Sequence, residues 1–181
     1  MLINLIHDID MLLYLLGPAI EVQAFASHAQ RQFEVEDTAA ALIRFQRGTL
    51  ATLTVSDTAA SPWNWDLCAG EKPQYPRQAT QSHFLTGTEA SLSLPDLSLW
   101  RYRGEWHWHH ELTHEQTTVH VQDPYLLQLQ HFAAVARGET TPVCSALEGW
   151  RTLQASLAVL AAAGCGQAQP CAALPAPEPT A

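Results

Sequence analysis

His7, Asp10 and Tyr14 stand at i, i+3 and i+7 in the run Asn4-Leu5-Ile6-His7-Asp8-Ile9-Asp10-Met11-Leu12-Leu13-Tyr14-Leu15-Leu16-Gly17. On a helix that spacing places all three on one stripe. An imidazole with a carboxylate one turn away is an acid/base pair. The carboxylate fixes the tautomer and orientation of the ring, and the ring exchanges a proton near neutral pH. The plainer reading of the same stripe is a polar helix face at the edge of a core.

Other residue types could contact a substrate. Between Ser61 and Thr80, aromatics, prolines and charges mix without a period. Long aperiodic loops in compact domains often carry function. Trp63, Trp65 and Tyr75 could stack on a sugar-like ring, and Arg77 could hydrogen-bond its hydroxyls. The competing reading is an irregular connection whose tryptophans cover the core edge. His107, His109, His110 and His114 invite a metal reading, but no cysteine or carboxylate stands at a usual structural spacing, so no metal is expected.

These residues need elements to hold them. Leu5, Ile9, Leu12, Leu13 and Leu16 recur at helical steps, with Asn4 as candidate cap and Gly17-Pro18 as stop. Alternation predicts a strand over Ile20 to Gln30, with Ile20, Val22, Ala24 and Ala26 on one face. Strands over Asp37 to Phe45 and Leu50 to Ser56 flank the turn Gln46-Arg47-Gly48. A short strand is expected at Asp66 to Ala69. Four more follow at His83 to Thr86, Ala90 to Leu94, Leu97 to Arg103 and Trp106 to Glu111. Asp123-Pro124 opens a helix, with Tyr125, Leu129, Phe132, Ala133 and Ala136 as its apolar stripe. Ser145-Ala-Leu-Glu148 reads as a capping box for a last helix, turned inward by Leu147, Trp150, Leu153, Leu157 and Leu160 and stopped by Gly164. The fold expected is α+β, an open, mostly antiparallel β-sheet with helices packed on one face. One domain is expected over 1–166, then a disordered Pro/Ala-rich tail over 167–181.

Eighteen acidic against nine basic side chains give a formal net charge of -9, which argues against a nucleic-acid backbone or an anionic membrane as partner. Cys68, Cys144, Cys165 and Cys171 form no CxxC, which fits a reducing, cytoplasmic setting. The apolar start has no basic n-region and is not a secretory signal, and the late apolar run Leu157 to Ala163 is too short to span a bilayer.

The order of these features resembles the C-terminal domain of the glucose-fructose oxidoreductase / inositol dehydrogenase (Gfo/Idh/MocA) family. The helix carrying His-Asp-Ile-Asp leads to Gly17-Pro18, a strand, Glu36-Asp37 and the Gly48 hairpin, then Gly87-Thr88, the Asp123-Pro124 helix and the Ser145 helix. The resemblance runs from Asn4 to about Gly164. It implies that His7 contacts the substrate hydroxyl that loses its proton as hydride leaves for a nicotinamide, with Asp10 beside it. Asn4, Tyr14, Trp63, Trp65, Tyr75 and Arg77 are then the candidate substrate-binding residues.

Many members carry Asp four residues before the motif histidine, where this chain has Ile3. The family's catalytic lysine lies in a Glu-Lys-Pro motif upstream of this helix, so the role is not carried onto Lys72 of Glu71-Lys72-Pro73. Complete members begin with a glycine-rich dinucleotide-binding βαβ unit, and nothing here matches G-x-G-x-x-G opening a helix. The resemblance therefore implies a longer gene, or a fragment. NAD or NADP is expected in the complete enzyme, none on this chain alone. The expected function is the substrate-binding and oligomerisation domain of an oxidoreductase acting on a sugar, cyclitol or polyol, as a homodimer or higher homo-oligomer. The rival is a non-catalytic dimeric ligand-binding or scaffold module.

Overall fold

Helix α1 (Leu5–Leu16) buries Leu5 and Ile9 and ends at Gly17, whose φ of 87° and N–H bond to the Leu13 carbonyl close the last turn. The chain then runs through β1 (Ala19–Ser27), β2 (Thr38–Phe45), β3 (Leu50–Ser56), α2 (Trp65–Ala69), β4 (His83–Thr86), β5 (Ser91–Leu94), β6 (Ser98–Tyr102) and β7 (Leu112–Gln116). It finishes with α3 (Pro124–Ala136), α4 (Ala146–Cys165) and β8 (Gln169–Pro170). A computed structural model describes residues 2–118 and 120–171.

The α+β class with antiparallel pairing holds throughout. The strands divide between two four-stranded sheets, ordered β3-β2-β1-β8 and β4-β5-β6-β7, where one sheet is expected. The chain likewise splits into two compact units. One comprises residues up to Ala59 with those from Val143 on, the other Ala60–Pro142. The expected tail also begins differently, because Gln169 and Pro170 pair with Val22 and Glu21 on β1. Its remainder, 172–181, lies outside the described residues.

In the first unit, α1 and α4 pack on one face of the sheet. Ala39, Ala41, Ile43 and Phe45 alternate inward along β2, and the last three share a core with Val22 and Ala24 of β1. Leu5, Ile9, Ala155, Val159 and Ala162 close the core from the helix side. Each large buried side chain here contributes about 1.5–3 kcal/mol through removal from water. Inward expectations fail on β1 and on α4, and Ala26 near the end of β1 is exposed. Ile20 is exposed, because the β1 register shifts between Ala19 and Glu21. On α4 the buried stripe is the small one, Thr152, Ala155, Ser156, Ala158, Val159 and Ala162, while Leu147, Leu153 and Leu157 stay exposed. Small side chains let a helix backbone approach closely, and the leucines are turned away. The α4 helix passes Gly164 and ends at Gly166, in the left-handed conformation.

Asp37 organises the connection before β2. Its Oδ2 accepts the N–H groups of Gln30 and Arg31, its N–H donates to Ser27 O, and its carbonyl accepts from Asp57. The Arg31 N–H bond is the main reason its carboxyl lies below the usual range.

In the second unit the predicted strand Asp66–Ala69 is the short helix α2, capped by Asn64 Oδ1 at 2.9 Å from Leu67 N and closed by left-handed Gly70. The predicted strand Trp106–Glu111 is a turn; the strand lies one step on, at β7. Helix α3 has the expected Asp123 cap, but none of its residues is buried. Asp96 ties the β5–β6 turn, accepting Ser93 Oγ at 2.8 Å, Ser98 Oγ at 2.6 Å and Gln81 Nε2 at 2.9 Å.

Candidate functional site

Burial of Leu5 and Ile9 fixes the roll of α1, and the stripe carrying His7, Asp10 and Tyr14 is turned away from the core centre. His7 and Tyr14 are exposed and Asp10 is half-buried. Helical spacing brings the three to one face, as expected. It does not join His7 to Asp10: among the described residues the His7 ring makes no hydrogen bond. The Asp10 carboxylate instead accepts the Thr152 hydroxyl of α4 at 2.6 Å. Thr152 carries no local motif that marks it in the sequence. Asn4 makes no capping side-chain bond; only its carbonyl is used, accepting His7 N at 3.2 Å.

Two further groups lie near Asp10. The capping box of α4 is present as predicted, with Ser145 N donating to Glu148 Oε2 at 2.6 Å and Ser145 Oγ accepting Glu148 N at 3.3 Å. The Cys144 thiol is pushed up first by burial, then by the negative charges of Asp10 and Glu148. It therefore stays a thiol at neutral pH and is a poor nucleophile.

In the second unit, loop 61–80 is more ordered than its composition suggests. Trp65 Nε1 donates to Glu71 Oε2 at 2.9 Å, and its ring meets His83 edge-on with centroids 6.0 Å apart. Lys72 is tied into the loop by Asp66. Its ammonium lies 2.9 Å from Asp66 Oδ1 and 3.1 Å from Oδ2, 5.9 Å from the Tyr75 ring and 5.8 Å from that of Tyr125. The hydrogen bond to Asp66 raises its affinity for a proton, so it stays charged. Arg77 lays its hydrocarbon stem against Gly70, where an added Cβ would come within 2.7 Å of Arg77 Cδ. Trp63 is 70% exposed and Tyr75 42%. Of the four predicted ring contacts, Trp63 and Tyr75 are the freer, while Trp65 and Arg77 also hold the loop together.

The histidines divide. The rings of His109 and His110 lie 5.1 and 5.3 Å from that of His107 between centroids, while His114 stacks on Trp100 at 4.2 Å and 12°. His107 Nδ1 accepts the His109 N–H, which puts the proton of the neutral ring on Nε2. Among the described residues no group of three histidine, cysteine or acidic side chains is placed to hold a metal. A groove of about 340 Å³ lies on the second sheet, lined by Phe84, Thr86, Ser91, Ser93, Trp100 and His114 among others. It contains none of the predicted site residues.

Residues 1–93 match the GFO/IDH/MocA C-terminal domain, and the chain belongs to that family. Similar folds occur in solved structures. An NAD-binding protein from Listeria innocua aligns with a TM-score of 0.64 and 18% identity, covering 91% of this chain and 45% of that one. The UDP-N-acetylglucosamine 3-dehydrogenase GnnA from Acidithiobacillus ferrooxidans aligns at 0.66 and 20%, covering 87% and 44%. The WlbA dehydrogenase from Bordetella pertussis, in complex with NADH and UDP-GlcNAcA, aligns at 0.56 and 21%, covering 94% and 43%. No curated protein matches. The chain thus spans less than half the length of each of these structures.

The described residues hold no dinucleotide-binding unit of the parallel, glycine-turn kind. Every strand pairing is antiparallel, so no βαβ unit is present among them. The helices α1, α3 and α4 open after Asn4, Asp123 and Ser145, not after a glycine-rich turn. No helix among them is long and apolar enough to cross a membrane.

Proposed function

We propose that this chain is the substrate side of an NAD(P)-dependent oxidoreductase acting on a hydroxyl of a sugar, cyclitol or polyol, with the cofactor held outside the described residues. The observation that carries the reading is α1: an exposed histidine one turn from a half-buried carboxylate, on the helix that opens the family match. The His7 imidazole takes the substrate hydroxyl proton. Asp10 orients the ring and stabilises it once charged. Asn4 and Tyr14 flank the pair on the same helix. In the second unit, Trp63 and Tyr75 are the rings proposed to stack on a sugar face, with Trp65 and Arg77 beside them. The sugar class draws support from WlbA, in complex with UDP-GlcNAcA, and from GnnA, a UDP-N-acetylglucosamine 3-dehydrogenase. Four free cysteines suit a reducing cytoplasm.

The proposed assembly is a homo-oligomer, most simply a C2 dimer. Phe25, Leu42 and Leu50 stand exposed on the first sheet, on the face opposite its helices. Trp106 and Trp108, within the strand expected over Trp106 to Glu111, lie in the turn before β7 and pack on each other, with ring centroids 5.5 Å apart. Light scattering at tens of micromolar should give at least twice the chain mass, and one chain mass would contradict the assembly.

The test of function restores a family cofactor domain by fusion or co-expression and follows NAD(P)H formation with a panel of sugars, cyclitols and UDP-sugars. Turnover with at least one is expected. A folded, cofactor-loaded protein silent across the panel would contradict the reading and favour the scaffold module.

A further inference from the structure

We infer that Thr152 is the positioning residue of the His7–Asp10 pair, an inference that rests on the role proposed for that pair. Thr152 is 5% exposed, between α1 and α4, and its hydroxyl reaches an acceptor 142 residues away in sequence. That hydroxyl has one proton and two acceptors, Asp10 Oδ1 at 2.6 Å and Glu148 O at 3.1 Å. The shorter bond goes to the charged acceptor, which holds a proton more strongly than a peptide carbonyl does.

Ser156, one turn further along the same buried stripe, shows the ordinary alternative. Its hydroxyl donates back to the Thr152 carbonyl at 2.8 Å, within its own helix. Thr152 turns its proton across to α1 instead. Packing does not require this, since valine has nearly the same shape. The other nearby carboxylate, Glu148, is engaged by the Ser145 N–H of the capping box.

The consequence falls on Asp10. With Oδ1 held from α4, the side chain is fixed in one rotamer on the flank of an otherwise solvent-facing stripe. Its Oδ2 has no hydrogen-bond partner among the described residues and is the atom left for a ring one turn earlier. Without the threonine proton, a half-buried Asp10 would spread over several rotamers.

The isolated chain tests this through carbethoxylation of His7 by diethyl pyrocarbonate, mapped by mass spectrometry across mildly acid to neutral pH. His28 serves as internal control. A held carboxylate favours the protonated, unreactive ring. Thr152→Val should therefore speed His7 modification on the acid side by roughly two- to tenfold, the scale of one net hydrogen bond. It should leave His28 alone, and Thr152→Ser should restore the parent profile. Asp10→Asn should shift the profile in the same direction. If Asp10→Asn moves it and Thr152→Val does not, the threonine inference falls and the pair stands. If neither moves it, the pair falls and the inference with it. Should the valine variant not fold, Thr152→Ala carries the same expectation without added bulk.

Discussion

The two units of this chain are stabilised in different ways. The first is held by apolar burial. Leu5, Ile9, Val22, Ile43, Phe45 and Val159 are at most 2% exposed and meet across one sheet and two helices. The second has few buried side chains among the described residues, and apart from Leu94 these are small or polar: Cys68, Ala69, Ser93 and Ser98. Its order comes from polar hubs, Asp96 with three donors, Asn64 capping α2, and Lys72 with Asp66. Apolar burial acts over the whole unit and cooperatively, whereas a polar hub fixes one turn. The first unit carries the proposed acid/base pair, and the second carries the aromatic loop.

The sharpest way to test that contrast is Phe45→Ala. Removing a fully buried ring should cost about 3–5 kcal/mol, read as lost hydrogen-exchange protection throughout the first unit. Loss confined to the β2–β3 hairpin would contradict a single core. Asp96→Ala should cost about 1–3 kcal/mol, because it leaves buried hydroxyls of Ser93 and Ser98 without their acceptor. Its loss of protection should stay within β5 and β6. Spread to the first unit would break the comparison.

The pH dependence of Asp37 and Asp96 is a smaller, shared effect. Burial of Asp96 raises its carboxyl, but the Ser98, Gln81 and Ser93 bonds outweigh it and leave it lowered. Asp37 is lowered chiefly by the Arg31 N–H. A lowered folded value means stability that is present above the ordinary carboxylate value of 3.8 and lost as pH falls through the folded one. Asp37→Asn should thus be less stable than the parent near neutrality, with the gap closing in acid; a gap independent of pH would contradict this. The smallest expected effect is none. NAD(H) and zinc should each leave the melting temperature of the isolated chain unchanged, and a saturable upward shift with either would overturn that.

Local signals carried much of the first unit. The periodicity of α1, the Gly48 turn and the Ser145–Glu148 box each involve residues a few positions apart, and each appears as expected. What depended on distant partners did not show. The α4 sequence offers two stripes, and only the sheet beneath selects Ala155, Val159 and Ala162 over Leu153 and Leu157. Ile20 is displaced by a bulge, which alternation alone cannot register. In the second unit, Trp106 to His109 alternate like a strand while lying in a turn, because exposed residues gain nothing from facing one way. That His7 and Asp10 share one face of α1 was legible from spacing. Thr152 was not, because its partner lies on another helix.

The central claim is that α1 supplies the proton acceptor, and kinetics of the restored enzyme test it most directly. His7→Ala should lower kcat by about 10²–10⁴-fold with a smaller change in KM, and Asp10→Asn should cost less, since the acceptor itself remains. Turnover of His7→Ala at the parent rate would contradict the account and leave the stripe on α1 as a polar edge of the core.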